Sequence, residues 1–459
     1  MTASTRLAEF TLSTRLADCP PQALVAVRRA ALDTIGVTLA GASEPVAQIV
    51  RRLVRAEGSI PLCTVIGTRL RAGATAAALA NGAAGHAHDF DDTNFALLGH
   101  PSVPLLAAAL AVAEAETADG AAVALAYITG FEVAAAIGAA VNPAHYERGW
   151  HATSSIGTLA CTAAAAKIFG LDLHTTRTAF GIAASLASGV KENFGSMTKP
   201  FHAGHAARNG VWAAMLAREG LTASASALDG PQGYLAAFGG ASSLDAALQG
   251  LGQRWQLLES GIAVKPYPSC ALTHSAIDAL LDLRERHHLD PDQISQVEVG
   301  VTRVVPTVLI HPRPVTALER KFSMEYCAAA ALADGQVTLD SFDDGPPRPA
   351  VEKLMSSVSM VVDPALPARR EQHAWSRVTL RLSDGRTLEA APRGALGHPD
   401  QPLSDAALRA KFLACATRVL PREEAEAVAE QIDGFEDIPD IRALTARLVG
   451  AIDEPERLA

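Results

Sequence analysis

Between Asn81 and Pro104 the chain reads NGAAGHAHDFDDTNFALLGHPSVP, placing His86, His88, Asp89, Asp91, Asp92, Thr93 and His100 within fifteen positions. Buried ionisable groups cost free energy unless they are paired or put to use. Here they sit beside apolar Phe90, Phe95, Leu97 and Leu98. The segment is therefore either a solvated acidic loop with histidines capping a helix, or one wall of a reactive site.

Four further segments set chemically capable residues in apolar surroundings. After Pro143 come His145, Tyr146, Arg148 and His151, followed by Thr153, Ser154 and Ser155 at a helix start whose free N–H groups favour an anion. Lys191–Arg208 (KENFGSMTKPFHAGHAAR) collects Lys191, Lys199, His202, His205 and Arg208 against one acid, Glu192. Pro200 suits a first helical turn, which aligns His202, His205 and Asn209 on one face and puts Lys199 at the positive end of the dipole. In an acidic protein this cationic knot reads as an anion site or as a solvated helix start. Val264–His274 sets Lys265 among prolines and Tyr267. Arg320–Tyr326 (RKFSMEY) opens a helix, where Ser323 and Tyr326 also fit a simple cap.

Together these are acids and bases (Asp89, His100, His151, Tyr146, Tyr326) with cations (Lys199, Lys265). Proton transfer at a carbon next to a carboxylate needs a base, worth about 10²–10⁴-fold, and preorganised positive charge for the enediolate. Loss of water also needs an acid for the departing hydroxyl. This set supplies all three without a metal. A rival reading makes HAHDFDD a Mg²⁺ site held by Asp89, Asp91 and Asp92, similar to HD-type phosphohydrolases or the DDxxD clusters of isoprenoid synthases. Against it, no second carboxylate cluster of that density occurs and aromatics are scarce, at 5%. A non-catalytic helical interaction protein would leave all five polar segments unexplained.

Elements that can hold these residues are mainly helical. At 459 residues, 49% of them hydrophobic, the chain has room for two domains, with cores of Ala, Leu, Val and Ile. Helical periodicity runs from Pro20–Pro21 to Gly41, over Pro45–Ala56 and Gly73–Ala87, then over Ser102–Ala118 and Gly120–Val141, which are apolar almost all round. An alanine-rich helix ends at Phe169, and Asp172–Gly189 continues helical. Near residue 290 the texture changes: Gln296–Val305 alternates as a strand, Ser357–Val362 fits another, and Ser376–Glu389 fits a hairpin turning at Asp384–Gly385. After Pro402 helices return. The expected architecture is a large all-helical domain made from both chain ends, 1–262 with 398–459, and a smaller α+β domain, 263–397, with the site in the cleft between them.

A net charge of −10 and the absence of a basic stripe argue against nucleic acid. Cys19, Cys63, Cys161, Cys270, Cys327 and Cys415 form no CxxC pair, so reduced buried thiols are expected rather than a metal ribbon. The longest apolar runs, Val103–Ala113 and Ala121–Phe131, stop at Glu114 and Glu132, short of the roughly 20 residues of a spanning helix. The N-terminus lacks the apolar stretch of an export signal. A cytoplasmic protein with no membrane partner is expected.

The motifs AHDFDDT (Ala87–Thr93), GHPS (Gly99–Ser102), GWHATSSIGT (Gly149–Thr158), FGSMTKPFHAGHAARNG (Phe194–Gly210), KPYPSC (Lys265–Cys270) and KFSMEY (Lys321–Tyr326) occur in one order over nearly the whole chain. In that combination the chain resembles the MmgE/PrpD family, which includes 2-methylcitrate dehydratase, cis-aconitate decarboxylase and iminodisuccinate epimerase. The resemblance implies an all-helical domain with an α+β lid, a homodimer, no metal or other cofactor, and a small di- or tricarboxylate substrate. It places the active site at Asp89, Thr93, His100, His151, Lys199, Lys265 and Tyr326. Tyr146 aligns with a proton-transfer tyrosine, and His202 joins the carboxylate-binding set of Thr93, Lys199 and Lys265. His100 or His151 would handle the proton while Asp89 orients a neighbour. A dehydratase-type lyase is the expected activity, with a dicarboxylate epimerase or a cis-aconitate-type decarboxylase as alternatives.

Overall fold

Alanine and glycine set how closely the helices of the body approach. A Cβ added at Gly82 would stand 2.6 Å from the Gly204 Cα, and one added at Gly204 would stand 2.2 Å from the Leu79 carbonyl oxygen. The Ala74–Gly85 and Thr198–Arg218 helices therefore touch backbone to backbone. On another side of Thr198–Arg218, a Cβ at Gly210 would lie 2.3 Å from that of Cys161, in the Ala152–Ile168 helix. These three close-packed helices carry the ends from which the polar segments emerge.

The computed structural model describes residues 2–240, 243–366, 374–450 and 452. Its fold is mainly helical with a small mixed sheet. One hydrophobic core takes residues from the N-terminal helices through Val264 and again from Leu403 to Leu448. The C-terminal helices Asp405–Ala416 and Arg422–Ile432 return onto Pro21–Gly41, so both chain ends build it. Its centre is Ser102–Glu116 and Gly120–Val141, buried nearly all round.

Gly120–Val141 corrects one expectation. It is a single 22-residue helix with a mean hydropathy of 1.7, long and apolar enough to cross a membrane, but 83% of its apolar window is buried inside the protein. Glu132 does not end the apolar stretch. It lies within the helix, and its carboxylate accepts the backbone N–H groups of Gln256 and Leu257, both at 2.9 Å. Burial pushes its pKa up to about 7, against those hydrogen bonds.

A second core gathers Phe194 with side chains from Cys270 to Leu382. Its four-stranded sheet runs in the order Val358–Val362, Ile294–Val301, Ser376–Leu382, Thr387–Ala390. The first pair is parallel and the other two are antiparallel. Val297 and Val299, buried on one face, pair with Val358 and Met360 on one side and with Leu380 and Val378 on the other. The helices His274–His287 and Met324–Asp334 cover that face. All six cysteines are free and buried.

Candidate active site

Backbone bridges carry distant segments to the acidic loop. Thr93 and Ala263 exchange hydrogen bonds of 2.9 and 2.8 Å, which brings Lys265 to Asp89. Trp150 bridges Val190, with His151 N donating to Gly189 O at 3.0 Å and Lys191 N to Gly149 O at 2.7 Å. The His100 N–H donates to Thr153 Oγ1 at 3.0 Å, tying the loop to the start of Ala152–Ile168. His86 leaves the C-terminal end of Ala74–Gly85 and meets Lys199, in the first turn of Thr198–Arg218.

Three consecutive carbonyls of the loop each accept from a buried or half-buried lysine. Lys321 Nζ donates to His88 O at 3.0 Å, Lys265 to Asp89 O at 2.7 Å, and Lys411 to Phe90 O at 2.8 Å. Lys411 also pairs with buried Asp33 at 2.5 Å. Between these anchors Asp89 has φ +51°, a left-handed conformation that a non-glycine residue holds only where its surroundings enforce it. The clamp presents the Asp89 carboxylate to Lys199 Nζ at 2.6 Å and to Lys265 Nζ at 3.1 Å. Burial opposes that charge, but the two lysines outweigh it and hold the Asp89 pKa below the usual carboxylate range.

Asp91 sits one layer back between two imidazoles, 2.7 Å from His86 Nδ1 and 3.1 Å from His100 Nδ1. An ammonium can only donate. Lys199 Nζ donates to His86 Nε2 at 3.0 Å, so His86 keeps its proton on Nδ1 and gives it to Asp91. Burial works against the Asp91 charge, and the two histidines more than offset it, keeping its pKa low. With Asp91 at Nδ1, His100 turns Nε2 toward the cavity, 3.5 Å from Asp89 Oδ1. Burial lowers the His100 pKa and Asp91 raises it, with a net lowering. His86 is brought to about 4, by burial above all.

The cavity measures about 600 Å³ and includes Asp89, Thr93, His100, Tyr146, His151, Lys199 and Lys265 in its lining. Asp89 Oδ2 and Thr93 Oγ1 are buried in its wall with no hydrogen-bond partner among the described residues. Two expected site residues stand elsewhere. His202 lies behind His151, their Nδ1 atoms 3.0 Å apart, so it braces that ring rather than lining the cavity. Tyr326 belongs to the second core: its hydroxyl donates to the Ser341 carbonyl, its ring packs on Phe342, and its N–H is capped by Ser323. Spacing alone could not separate that cap from a catalytic phenol. Lining residues that were not singled out include Cys270 and Phe194, and Lys191 was named only as part of the cationic knot.

Donor atoms of His86, Asp89, Asp91 and His100 lie within 4.8 Å of one another, close enough for a cation. That centre already holds one, the Lys199 ammonium, bonded to both Asp89 and His86. Asp92, a third ligand in the Mg²⁺ reading, is turned away. It accepts from Ser102 N at 3.2 Å and from the Ser102 hydroxyl, which meets Tyr127 OH at 2.6 Å. Burial and nearby Asp33 push its pKa up to about 8, so it carries a proton at neutral pH. The geometry fits an ammonium better than Mg²⁺.

Comparison with known proteins adds to this geometry. Residues 5–247 match the MmgE/PrpD N-terminal domain and residues 267–436 the MmgE/PrpD C-terminal domain. The chain is 32% identical to human cis-aconitate decarboxylase over 437 residues, covering 92% of this chain and 89% of the human protein. The mouse cis-aconitate decarboxylase is also 32% identical, over 94% of this chain and 91% of its own. The Aspergillus terreus cis-aconitate decarboxylase is 26% identical, over 95% and 94%.

Proposed function

The chain belongs to the MmgE/PrpD family and is a lyase, and we propose that it removes carbon dioxide from cis-aconitate or a tricarboxylate of similar shape. The observation that carries this reading is one carboxylate, Asp89, shared by two buried ammonium groups with an imidazole 3.5 Å away. Two positive charges against one negative leave a positive field for a substrate carboxylate, in a cavity lined largely by apolar atoms where such a field acts strongly.

Chemistry dictates which carboxylate leaves. Loss of CO₂ from an alkene carbon would leave an unstabilised vinyl anion. Loss from the saturated CH₂ arm leaves an allyl anion, spread through the double bond onto the terminal carboxylate as an enediolate. Lys199 and Lys265 would stabilise that charge. The C–CO₂ bond breaks, its electron pair shifts along the allyl unit, and a proton joins the far carbon: the tricarboxylate trianion plus H⁺ gives CO₂ and a methylenesuccinate dianion. His100 would deliver the proton from Nε2. A bound polyanion adds negative charge beside the ring and raises its pKa toward that of a donor. His151, braced by His202, is the second imidazole within the wall.

The same reading casts residues 263–397 as a lid on a helical body of 1–262 and 398–459. Thr302, Val304 and Val308 of that unit line one side of the cavity. The test is a substrate panel of cis-aconitate, citrate and 2-methylcitrate, with CO₂ and products measured together. Stoichiometric CO₂ from cis-aconitate is expected. Interconversion of citrate or 2-methylcitrate with its alkene, without CO₂, would return the reaction to the dehydratase class.

A further inference from the structure

Among the described residues three lysines line the cavity, and the proposed reaction employs two. The third, Lys191, has its backbone pinned by the Trp150–Val190 bridge and opens a short 3₁₀ turn, Lys191–Asn193. Its Nζ donates to the Tyr146 carbonyl at 3.2 Å and stands 3.7 Å from the centroid of the Tyr146 ring, which also lines the cavity. A cation over a tyrosine face is attracted by the ring quadrupole. One carbonyl leaves two ammonium hydrogens for a ligand.

Its setting differs from that of Lys199 and Lys265. Those two share Asp89, whereas Lys191 has no carboxylate within ion-pair distance among the described residues. Glu147 and Cys270 act on it from farther away, and the phenol of Tyr146 lies beneath it. Lys191 is half-buried, and burial lowers its pKa to about 8 against the opposing pull of Cys270 and Glu147. It is thus a partly desolvated cation, charged at neutral pH, in a cavity whose lining also includes Phe194, Leu272, Tyr146, Glu147, Cys270 and Arg303.

We infer that Lys191, seated on the Tyr146 ring, is a specificity-determining residue that takes a second carboxylate of the substrate, apart from the one held at Lys199 and Lys265. The site then selects small polycarboxylates that reach from the Asp89 end to Tyr146, over ligands with a single carboxylate. The assignment of the Lys199–Lys265 end rests on the function proposed above; the contact at Lys191 does not depend on which bond the enzyme breaks.

The test uses tricarballylate, a saturated tricarboxylate with no alkene to react. Its affinity is measured by calorimetry at pH 7 for wild type, Lys191→Met and Lys191→Arg, with thermal melts as the folding control. A lost charge-assisted hydrogen bond corresponds to about ten- to hundredfold in Kd. Lys191→Met should weaken tricarballylate by that factor, Lys191→Arg should stay within about threefold of wild type, and kcat on cis-aconitate should change little while KM rises. Unchanged affinity in Lys191→Met, equal loss in Lys191→Arg, or a fall in kcat at constant KM would each overturn the inference. Should Lys191→Met not fold, the wild-type affinity between pH 7 and 9.5 decides. It must fall as Lys191 discharges while Lys191→Arg falls less, and parallel profiles refute the role. Tricarballylate binding through Lys191 without turnover of cis-aconitate would sink the decarboxylase reading alone; a wild type that binds no tricarballylate sinks the Lys191 assignment.

Discussion

Replacing Asp91 by asparagine should disable the enzyme by moving one proton. In the native site both oxygens of Asp91 face imidazole Nδ1 atoms, 2.7 Å from His86 and 3.1 Å from His100. An asparagine offers one acceptor and one donor, so one ring must change tautomer. His86 cannot, because Lys199 donates to its Nε2 at 3.0 Å and fixes the proton on Nδ1. The asparagine oxygen must then turn to His86 and its NH₂ to His100, whose proton moves to Nε2. That Nε2 loses the lone pair that takes up and returns the reacting proton, and the negative charge that favours the imidazolium is gone. Loss of the proton-transfer role is worth about 10²–10⁴-fold, or roughly 2.7–5.4 kcal/mol in the barrier. The assay is kcat with cis-aconitate across pH 5.5–9, beside a thermal melt to verify folding. A folded Asp91→Asn variant with kcat within twofold of wild type would refute both the tautomer argument and the assignment of His100.

Other expectations follow from the same geometry. Lys199→Met leaves Asp89 with Lys265 alone and removes a charge-assisted contact worth about 1.5–3 kcal/mol. A lower melting temperature and a KM raised about tenfold or more should result, whereas an unchanged KM would remove Lys199 from substrate binding. Gly204→Ala drives a methyl to 2.2 Å from the Leu79 carbonyl. Overpacking costs about 1–3 kcal/mol, and activity should fall with stability because His86 and Lys199 ride on the two helices that must separate; full activity would show that the site tolerates the shift. Buried His86 and His202 have pKa values lowered to about 4, chiefly by burial. Unfolded chains bind protons at about 6.5 where the fold refuses them. Stability should therefore be fully present above pH 6.5 and drain away toward pH 4, and a melting temperature flat over that interval would contradict the neutral, buried assignment. Adding a chelator should leave activity unchanged, and a loss restored by Mg²⁺ would return Asp89 and Asp91 to a metal role.

Much of the site was legible because ionisable residues crowded among apolar ones are rare. The wall of Asp89, Thr93 and His100 and the cationic start of Thr198–Arg218 stood out on that ground. Lys411 left no such mark, and Lys321 stood out only as part of the KFSMEY motif. A lysine on a helix, as Lys411 is, ordinarily points to solvent, and only the fold reveals that Lys411 and Lys321 reach the Phe90 and His88 carbonyls. Asp91 and Asp92, adjacent and alike in sequence, part company for a similar reason: one faces two imidazoles, the other Ser102 and a neighbouring carboxyl. Tyr326 stands in the second core, and Ser323-x-x-Tyr326 satisfies a helix cap and a reactive pair equally well in sequence. Gly120–Val141 was read as one helix, but its apolar run was ended at Glu132, whose backbone partners at Gln256 and Leu257 are more than a hundred residues away. Texture read the sheet well, since the alternation of Val297, Val299 and Val301 survives as the buried face of the central strand.

Proton delivery from His100 to an allylic enediolate is the centre of the account, and heavy water tests it most directly. Wild type and His100→Gln are incubated with cis-aconitate in D₂O and followed by proton NMR. For wild type, one CO₂ should be lost per molecule, and a single deuterium should appear at the carbon that was the alkene CH. His100→Gln should slow that incorporation by about 10²-fold or more. Deuterium entering unreacted substrate without CO₂ release, or incorporation at the wild-type rate in His100→Gln, would contradict it.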